Sequence, residues 1–328
     1  MAKPQDKLVY GAAHKPYKPS KLADEWWGKC QRIKVLDEEI AYYDSDPKNE
    51  KNLPVVVFIH GNPTSSFLWR NVVPYIEPVA RCIAPDYVGM GRSTKRANHQ
   101  YRFVDLYKYL EAWLEAIDIP EKISLVTHDW GSTIAFHWSQ VHRGRTDSII
   151  HMESMCFVVP GWDFFSDHVQ YGLQRIRSPE GEEMILQNSY FVEKVLPESI
   201  MRELSEDEFN AYREPFIEPG ESRRPSLTMP RQTPIRGEGP ADVEKIIDDY
   251  FKYFCESPEI PKLYIDSDPG FFSPSGKKIM QMWPNQQWIT LKGIHFVMED
   301  SPKETGEACR DFLVNSVYNT KKHHHHHH

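Results

Sequence analysis

Asp129 stands at the centre of Thr127-His128-Asp129-Trp130-Gly131, after the apolar run Lys122–Val126 and before Ser132–Trp138, which reads as the start of a helix. Strand, sharp turn and helix form the setting of a nucleophile elbow, where a strained turn at a strand tip presents one side chain and small residues flank it. A carboxylate at the tip selects the chemistry. It is ionised at neutral pH and attacks without help from a base. On saturated carbon it leaves an ester that water can cleave, whereas a serine would leave an inert ether. The elbow therefore points to hydrolysis of alkyl groups through a covalent ester.

Cleaving that ester requires a base, and the base requires an orienting acid. His295 follows the run Trp288–Leu291, late in the chain, as the order nucleophile, acid, base demands. A lone histidine is more often a loop or core residue, but its place relative to Asp129 favours catalysis. Two carboxylates compete for the acid. Glu153 follows a run ending at Met152, and Asp266 follows Lys262–Ile265. Both fall at the carboxyl edge of a parallel sheet, and spacing does not choose between them. A departing anion needs donors opposite the nucleophile. The indole of Trp130 and the amide of Asn62, in the turn after Val55–Ile59, are the candidates.

The surrounding elements fit this assignment. Val55–Ile59 and Arg81–Pro85 are continuous apolar runs, as expected of strands buried on both faces of a mostly parallel sheet. Residues 34–36 and 40–43 read as a hairpin, 106–117 as a helix and 147–152, 262–266 and 288–291 as strands; 240–256 and 304–317 read as helices. Alternating strands and helices predict a doubly wound α/β sheet. From residue 157 to about 230 no strand run is convincing, and short helical pieces at 181–186, 198–202 and 206–212 predict an inserted helical cap. The expected organisation is a core of residues 1–155, with 1–25 loosely ordered, a cap of 156–232, and the rest of the core in 233–322. His323–His328 reads as a purification tag.

The 328 residues carry a formal charge of −8 with Lys and Glu interspersed, which predicts no nucleic-acid partner. The five cysteines are scattered, with no CxxC pair, so free thiols in a reducing compartment are expected, with no zinc site. The polar N-terminus and the lack of a long apolar run predict no membrane association and a cytoplasmic monomer acting on a small molecule.

His60-Gly-Asn-Pro63, His128-Asp-Trp-Gly131, His151-Met-Glu-Ser154 and Gly293-Ile-His-Phe296 resemble the haloalkane dehalogenases of the α/β-hydrolase fold. The likeness is to the branch whose acid follows the sixth strand, which implies Glu153. It is closer to the Renilla-type coelenterazine luciferases within that family and runs from Glu25-Trp-Trp27 to the final helix, including Leu68-Trp-Arg70, Arg223-Arg-Pro225 and Asp268-Pro-Gly-Phe-Phe-Ser273. This resemblance implies oxidative decarboxylation of coelenterazine with light emission, with O2 as co-substrate and no metal or organic cofactor. The dehalogenase resemblance implies hydrolysis of carbon–halogen bonds by Asp129, Glu153 and His295, with Asn62 and Trp130 on the halide. Phe191, Phe271 and Phe272, with Trp130, are expected to line an apolar pocket, and Tyr171, Met229 and Pro230 to form its cap wall. Four positions depart from the luciferase pattern. Tyr171 falls where an acidic residue is expected, Met229 replaces a Trp, Pro63 follows Asn62 as in dehalogenases, and Thr127 replaces a Gly. An epoxide hydrolase would share the Asp elbow and need two cap tyrosines as acids, for which Tyr171, Tyr190 and Tyr212 are available; Asn62 argues against it. A non-catalytic binding scaffold would lack a nucleophile or base, and here every role is filled.

Overall fold

A computed structural model describes residues 15–320. Eight strands form one sheet in the order β1-β2-β4-β3-β5-β6-β7-β8: Gln31–Val35, Glu38–Asp44, Val55–Ile59, Arg81–Pro85, Ile123–His128, Thr146–Met152, Lys262–Pro269 and Gln286–Gly293 being β1 to β8. β1, β2 and β4 pair antiparallel, and the remaining neighbours are parallel. Every residue of β3, β4 and β5 is buried, which is why these strands read as unbroken apolar runs. β8 lies at the sheet edge and alternates, so its full length was less legible.

Helices cover both faces. One apolar cluster holds α2 (Phe103–Ala116), α3 (Trp130–Val141) and α7 (Ala241–Cys255) against the sheet; the other holds α1 (Lys21–Gly28) and α8 (Pro302–Phe312). Side chains of β5 divide between the two, Ile123 and Leu125 to the first and Val126 to the second, as strand alternation requires.

Between β6 and β7 lie α4 (Asp167–Arg177), α5 (Glu206–Arg213) and α6 (Arg224–Arg231), with shorter turns among them. Ile176, Met184, Ile185, Leu186 and Leu227 form a separate apolar cluster there. Two of these helices leave little trace in the sequence. α4 buries only Ile176, so its apolar stripe is faint. α6 contains Pro225 and Pro230, which argue against a helix unless one is at its start. The piece expected at 198–202 is a short turn, Leu196–Glu198, instead.

The N-terminal expectation needs a correction. Residues 21–28 form α1, capped by Ser20, whose hydroxyl accepts the Ala23 N–H at 3.0 Å. Trp26 and Trp27 anchor it, the Trp27 indole donating to Asp86 at 2.7 Å. Lys and Pro composition hid an ordered helix whose stability comes from two buried indoles. Residues 1–14 and the His323–His328 segment lie outside the described residues. All five cysteines are free thiols. Among the described residues no helix is long and apolar enough to cross a membrane.

Candidate active site

Asp129 lies between β5 and α3 with φ 54° and ψ −133°, a region that costs a non-glycine residue about 1–3 kcal/mol. Two glycines permit this turn. A Cβ on Gly131 would fall 2.5 Å from the His60 carbonyl, and one on Gly61 would fall 2.5 Å from Asp129 Oδ2. The close approach of Gly61 brings the backbone N–H of Asn62 to 2.9 Å from Asp129 Oδ2. Glu153, just past β6, also has positive φ, 47°. Both carboxylates thus stand on strained turns at the carboxyl edge of adjacent parallel strands.

His295 joins them. Its Nε2 is 3.0 Å from Asp129 Oδ1 and its Nδ1 is 2.9 Å from Glu153 Oε1. Of the two carboxylates left open, Glu153 is the one that meets His295. Asp266 instead accepts from Thr290 at 3.1 Å and faces Lys277 at 3.7 Å. Glu153 is fully buried, and the N–H groups of Phe271, Phe272 and Ser273 and the Ser273 hydroxyl all donate to it. The loop bearing Phe271 and Phe272 is thus also the cradle of the acid.

Burial alone would raise the Asp129 carboxyl, but the hydrogen bond and charge of His295 outweigh it and hold Asp129 below its ordinary range. Glu153 behaves likewise, with His295 the main lowering partner, aided by Phe272 and Ser273. For His295, burial lowers the pKa, yet the hydrogen bonds and charges of Asp129 and Glu153 dominate and raise it to about 9. At neutral pH the free site holds an imidazolium between two carboxylates. Esterifying Asp129 would remove one of those charges and return His295 towards a neutral base, so alkylation itself would prepare the second step.

A stability signature follows. A histidine raised from 6.5 in the unfolded chain to about 9 contributes stability fully present below pH 6.5 and lost as pH rises through 9. The melting temperature should fall between pH 7 and 10. Asp129→Asn should flatten that slope and move the His295 titration, followed by NMR, to lower pH. An unchanged His295 titration in Asp129→Asn would refute the coupling.

Asp129, Asn62, Trp130, Phe191, Phe271, Phe272, Pro230 and His295 line one cavity of about 280 Å³. The four aromatics expected around an apolar pocket therefore share one wall space. The buried Asn62 Oδ1 has no hydrogen-bond partner among the described residues, and the Trp130 indole lines the same cavity. Two cap-wall expectations are corrected. Tyr171 is 44% exposed, its ring against the Arg175 guanidinium, and it does not line the cavity. Counting along the chain ignored the helix. His168, Val169, Gly172, Leu173 and Ile176 line the cavity, and residue 171 is turned off that face. Met229 is 1% exposed but packs in the core cluster, leaving only its neighbour Pro230 at the wall. Of the tyrosines an epoxide hydrolase would recruit, Tyr190 lines the cavity while Tyr212 is buried in a hydrogen bond to Glu299.

Several supports of the site have no signature in the sequence. The His295 N–H donates to the Ser199 carbonyl of the inserted segment at 3.2 Å. Glu299, one turn beyond His295, binds Arg70 at 2.9 Å and Arg202 at 3.0 Å. Arg202 ties the loop of the base to the inserted segment directly, and Arg70, after β3, does so through Glu208, with partners about 100 to 230 residues apart in sequence, a distance no local pattern reports. Glu111, Glu115 and His142 form a half-exposed group with ligand atoms within 4.8 Å of one another, but none lines this cavity.

Glu153→Gln must place an NH2 against backbone donors and can no longer hold the His295 imidazolium by charge. It should slow ester hydrolysis by about 10²–10⁴-fold and lower the melting temperature, while Asp266→Asn stays within about threefold of the parent. Steady-state halide release measures both, and the reverse order of losses would overturn the assignment of the acid.

An eight-stranded, mostly parallel sheet with a strand-tip nucleophile, a late histidine and an acid after β6 defines an α/β hydrolase. Residues 54–302 match the family model described as alpha/beta hydrolase fold, and the chain belongs to that family. Within it, the chain is 46% identical over 295 residues to a coelenterazine h 2-monooxygenase of Renilla reniformis, covering 90% of this chain and 94% of the relative. It is 42% identical over 296 residues to a haloalkane dehalogenase of Mycolicibacterium smegmatis, covering 88% and 92%. The crystal structure of a haloalkane dehalogenase from Bradyrhizobium elkani superposes with a TM-score of 0.81 at 36% identity, covering 87% of this chain and 97% of that one.

Proposed function

We propose that this chain hydrolyses carbon–halogen bonds of small haloalkanes through an alkyl ester on Asp129, and that the same cavity oxidises coelenterazine with O2 to give light. The observation carrying the first reading is that the Asp129 carboxylate, the His295 base with Glu153 behind it, and the Asn62 and Trp130 side chains meet at one cavity. In the first step an Asp129 oxygen attacks carbon from the side opposite the halogen. The carbon–halogen pair leaves with the halide, which the Trp130 indole and the Asn62 amide receive. In the second, His295 takes a proton from water, hydroxide adds to the ester carbonyl, and the Asn62 N–H at 2.9 Å stands ready for the oxyanion. Collapse releases the alcohol and restores Asp129.

Similarity to the Renilla monooxygenase through the inserted segment supports the second reading. Coelenterazine supplies the electrons that reduce O2. A dioxetanone forms and loses CO2, and the other oxygen atom stays as the carbonyl of the product amide. No metal or organic cofactor enters either sequence of steps. Trp130, Phe191, Phe271 and Phe272 supply a largely dry wall that would shield the excited product. Residues 156–232 act as the cap over a core of 1–155 and 233–322, and the protein works as a cytoplasmic monomer.

Mixing the protein with coelenterazine in air, with 1,2-dibromoethane turnover in parallel, tests both. We expect halide release above background and light above the uncatalysed glow. Halide without light would remove the luciferase reading; light without halide would remove the hydrolytic one.

A further inference from the structure

We propose that His128 is a positioning residue for His295, setting the aim of the base through the main chain. The inference rests on the hydrolytic reading above. His128 ends β5, directly before Asp129, and strand alternation puts it on the face that Val126 presents to the second apolar cluster, off the cavity lining. There it is fully buried, and its Nε2–H donates to the carbonyl of His295 at 2.7 Å. The two imidazoles lie 4.6 Å apart between centroids, and Phe296 packs on His128 at 5.2 Å.

Besides the contact of its Nε2 with Asp129, His295 is thereby held at three points. Its N–H is given to Ser199 O, its Nδ1 to Glu153 and its carbonyl to His128. Of the two main-chain anchors, the carbonyl contact is the one that comes from the strand leading into the nucleophile. It ties the backbone of the base to the residue next to Asp129, so base and nucleophile share one rigid reference.

A second-base role does not fit. Nε2 is committed as a donor, Nδ1 has no partner among the described residues, and the ring does not line the cavity. Burial also keeps the ring neutral, so no extra positive charge opposes the imidazolium of His295. A satisfied core histidine with no effect on catalysis is the competing account. The two differ because Asp129 is aimed by the elbow and Asn62, whereas His295 is aimed by its loop. Loosening the carbonyl anchor should spare alkylation and slow hydrolysis.

Three variants read this out. The amide of His128→Gln places its nitrogen where ring Nε2 lies. His128→Asn stops short, near ring Nδ1, and His128→Met fills the space without a donor. With 1,2-dibromoethane in rapid-mixing experiments, all three should release the first equivalent of halide within about threefold of the parent rate. Hydrolysis of the ester should slow about 10²-fold in the Met and Asn variants, with alkyl-enzyme accumulating by mass spectrometry, and recover to within about threefold in the Gln variant. If the Met variant does not fold, the Gln–Asn pair decides alone. Parental hydrolysis in Asn, or equal loss of both steps, would overturn the proposal. A parent that forms no alkyl-enzyme would instead sink the hydrolytic reading, and this inference with it.

Discussion

Asp129→Ala should abolish halide release, with a fall of about 10⁴-fold or more. The carboxylate forms the bond to carbon, and no other nucleophile of the site could replace it. His295 is held as an imidazolium by its partners, and Glu153 is spent on backbone donors and on His295. The fold should survive, because the elbow rests on the close packing of Gly61 and Gly131, which the substitution leaves in place. Circular dichroism checks that point, and a halide assay with 1,2-dibromoethane checks the loss. Coelenterazine light should fall far less, since that sequence of steps places no covalent bond on Asp129. The variant would thus separate the two chemistries within one cavity. Halide release at the parental rate would refute Asp129 as nucleophile.

His295→Gln should stall the reaction at its midpoint. Alkylation needs only the carboxylate, so one equivalent of halide per site should still appear. Hydrolysis needs a proton acceptor for water, and losing it should slow turnover by about 10²–10⁴-fold. A bromoethyl adduct on the peptide containing Asp129 should then persist long enough for mass spectrometry. Multiple turnover with no adduct would show that His295 is not the base. The pH dependence adds a constraint. His295 is protonated in the free site up to about pH 9, so in the parent the base becomes available only after the Asp129 charge is lost to the ester. Alkylation should therefore hold steady across neutral pH, falling only when acid protonates Asp129, whose pKa is depressed. Hydrolysis should respond to the lower pKa of the alkylated state.

These expectations draw on local and distant information in different measure. Asp129 was legible because a strained elbow needs a strand before it, a helix after it and a small residue within reach, all within about ten positions. β3, β4 and β5 were legible because strands buried on both faces are mostly apolar and do not alternate. His295 was legible from its place after the last strand run. Each of these follows from chain order and side-chain chemistry alone, which the sequence holds in full.

The acid was not legible in that way. Glu153 and Asp266 both follow strands, and the choice lies in which strand tip the loop of His295 reaches. That is a hydrogen bond spanning 142 residues, reinforced by N–H groups of residues 271–273 that no motif around Glu153 announces. The cap wall was decided in the same way. Whether Tyr171 meets the cavity depends on how α4 is rotated against the core, and each residue turns a helix by about 100°. That rotation is set by packing of Ile176 and its neighbours, not by the identity of residue 171. Sequence determined which groups are equipped to react, because reactivity is a property of the side chain and its immediate turn. Only the tertiary structure decided which groups aim, shield and hold them, because those roles belong to contacts between segments far apart in the chain.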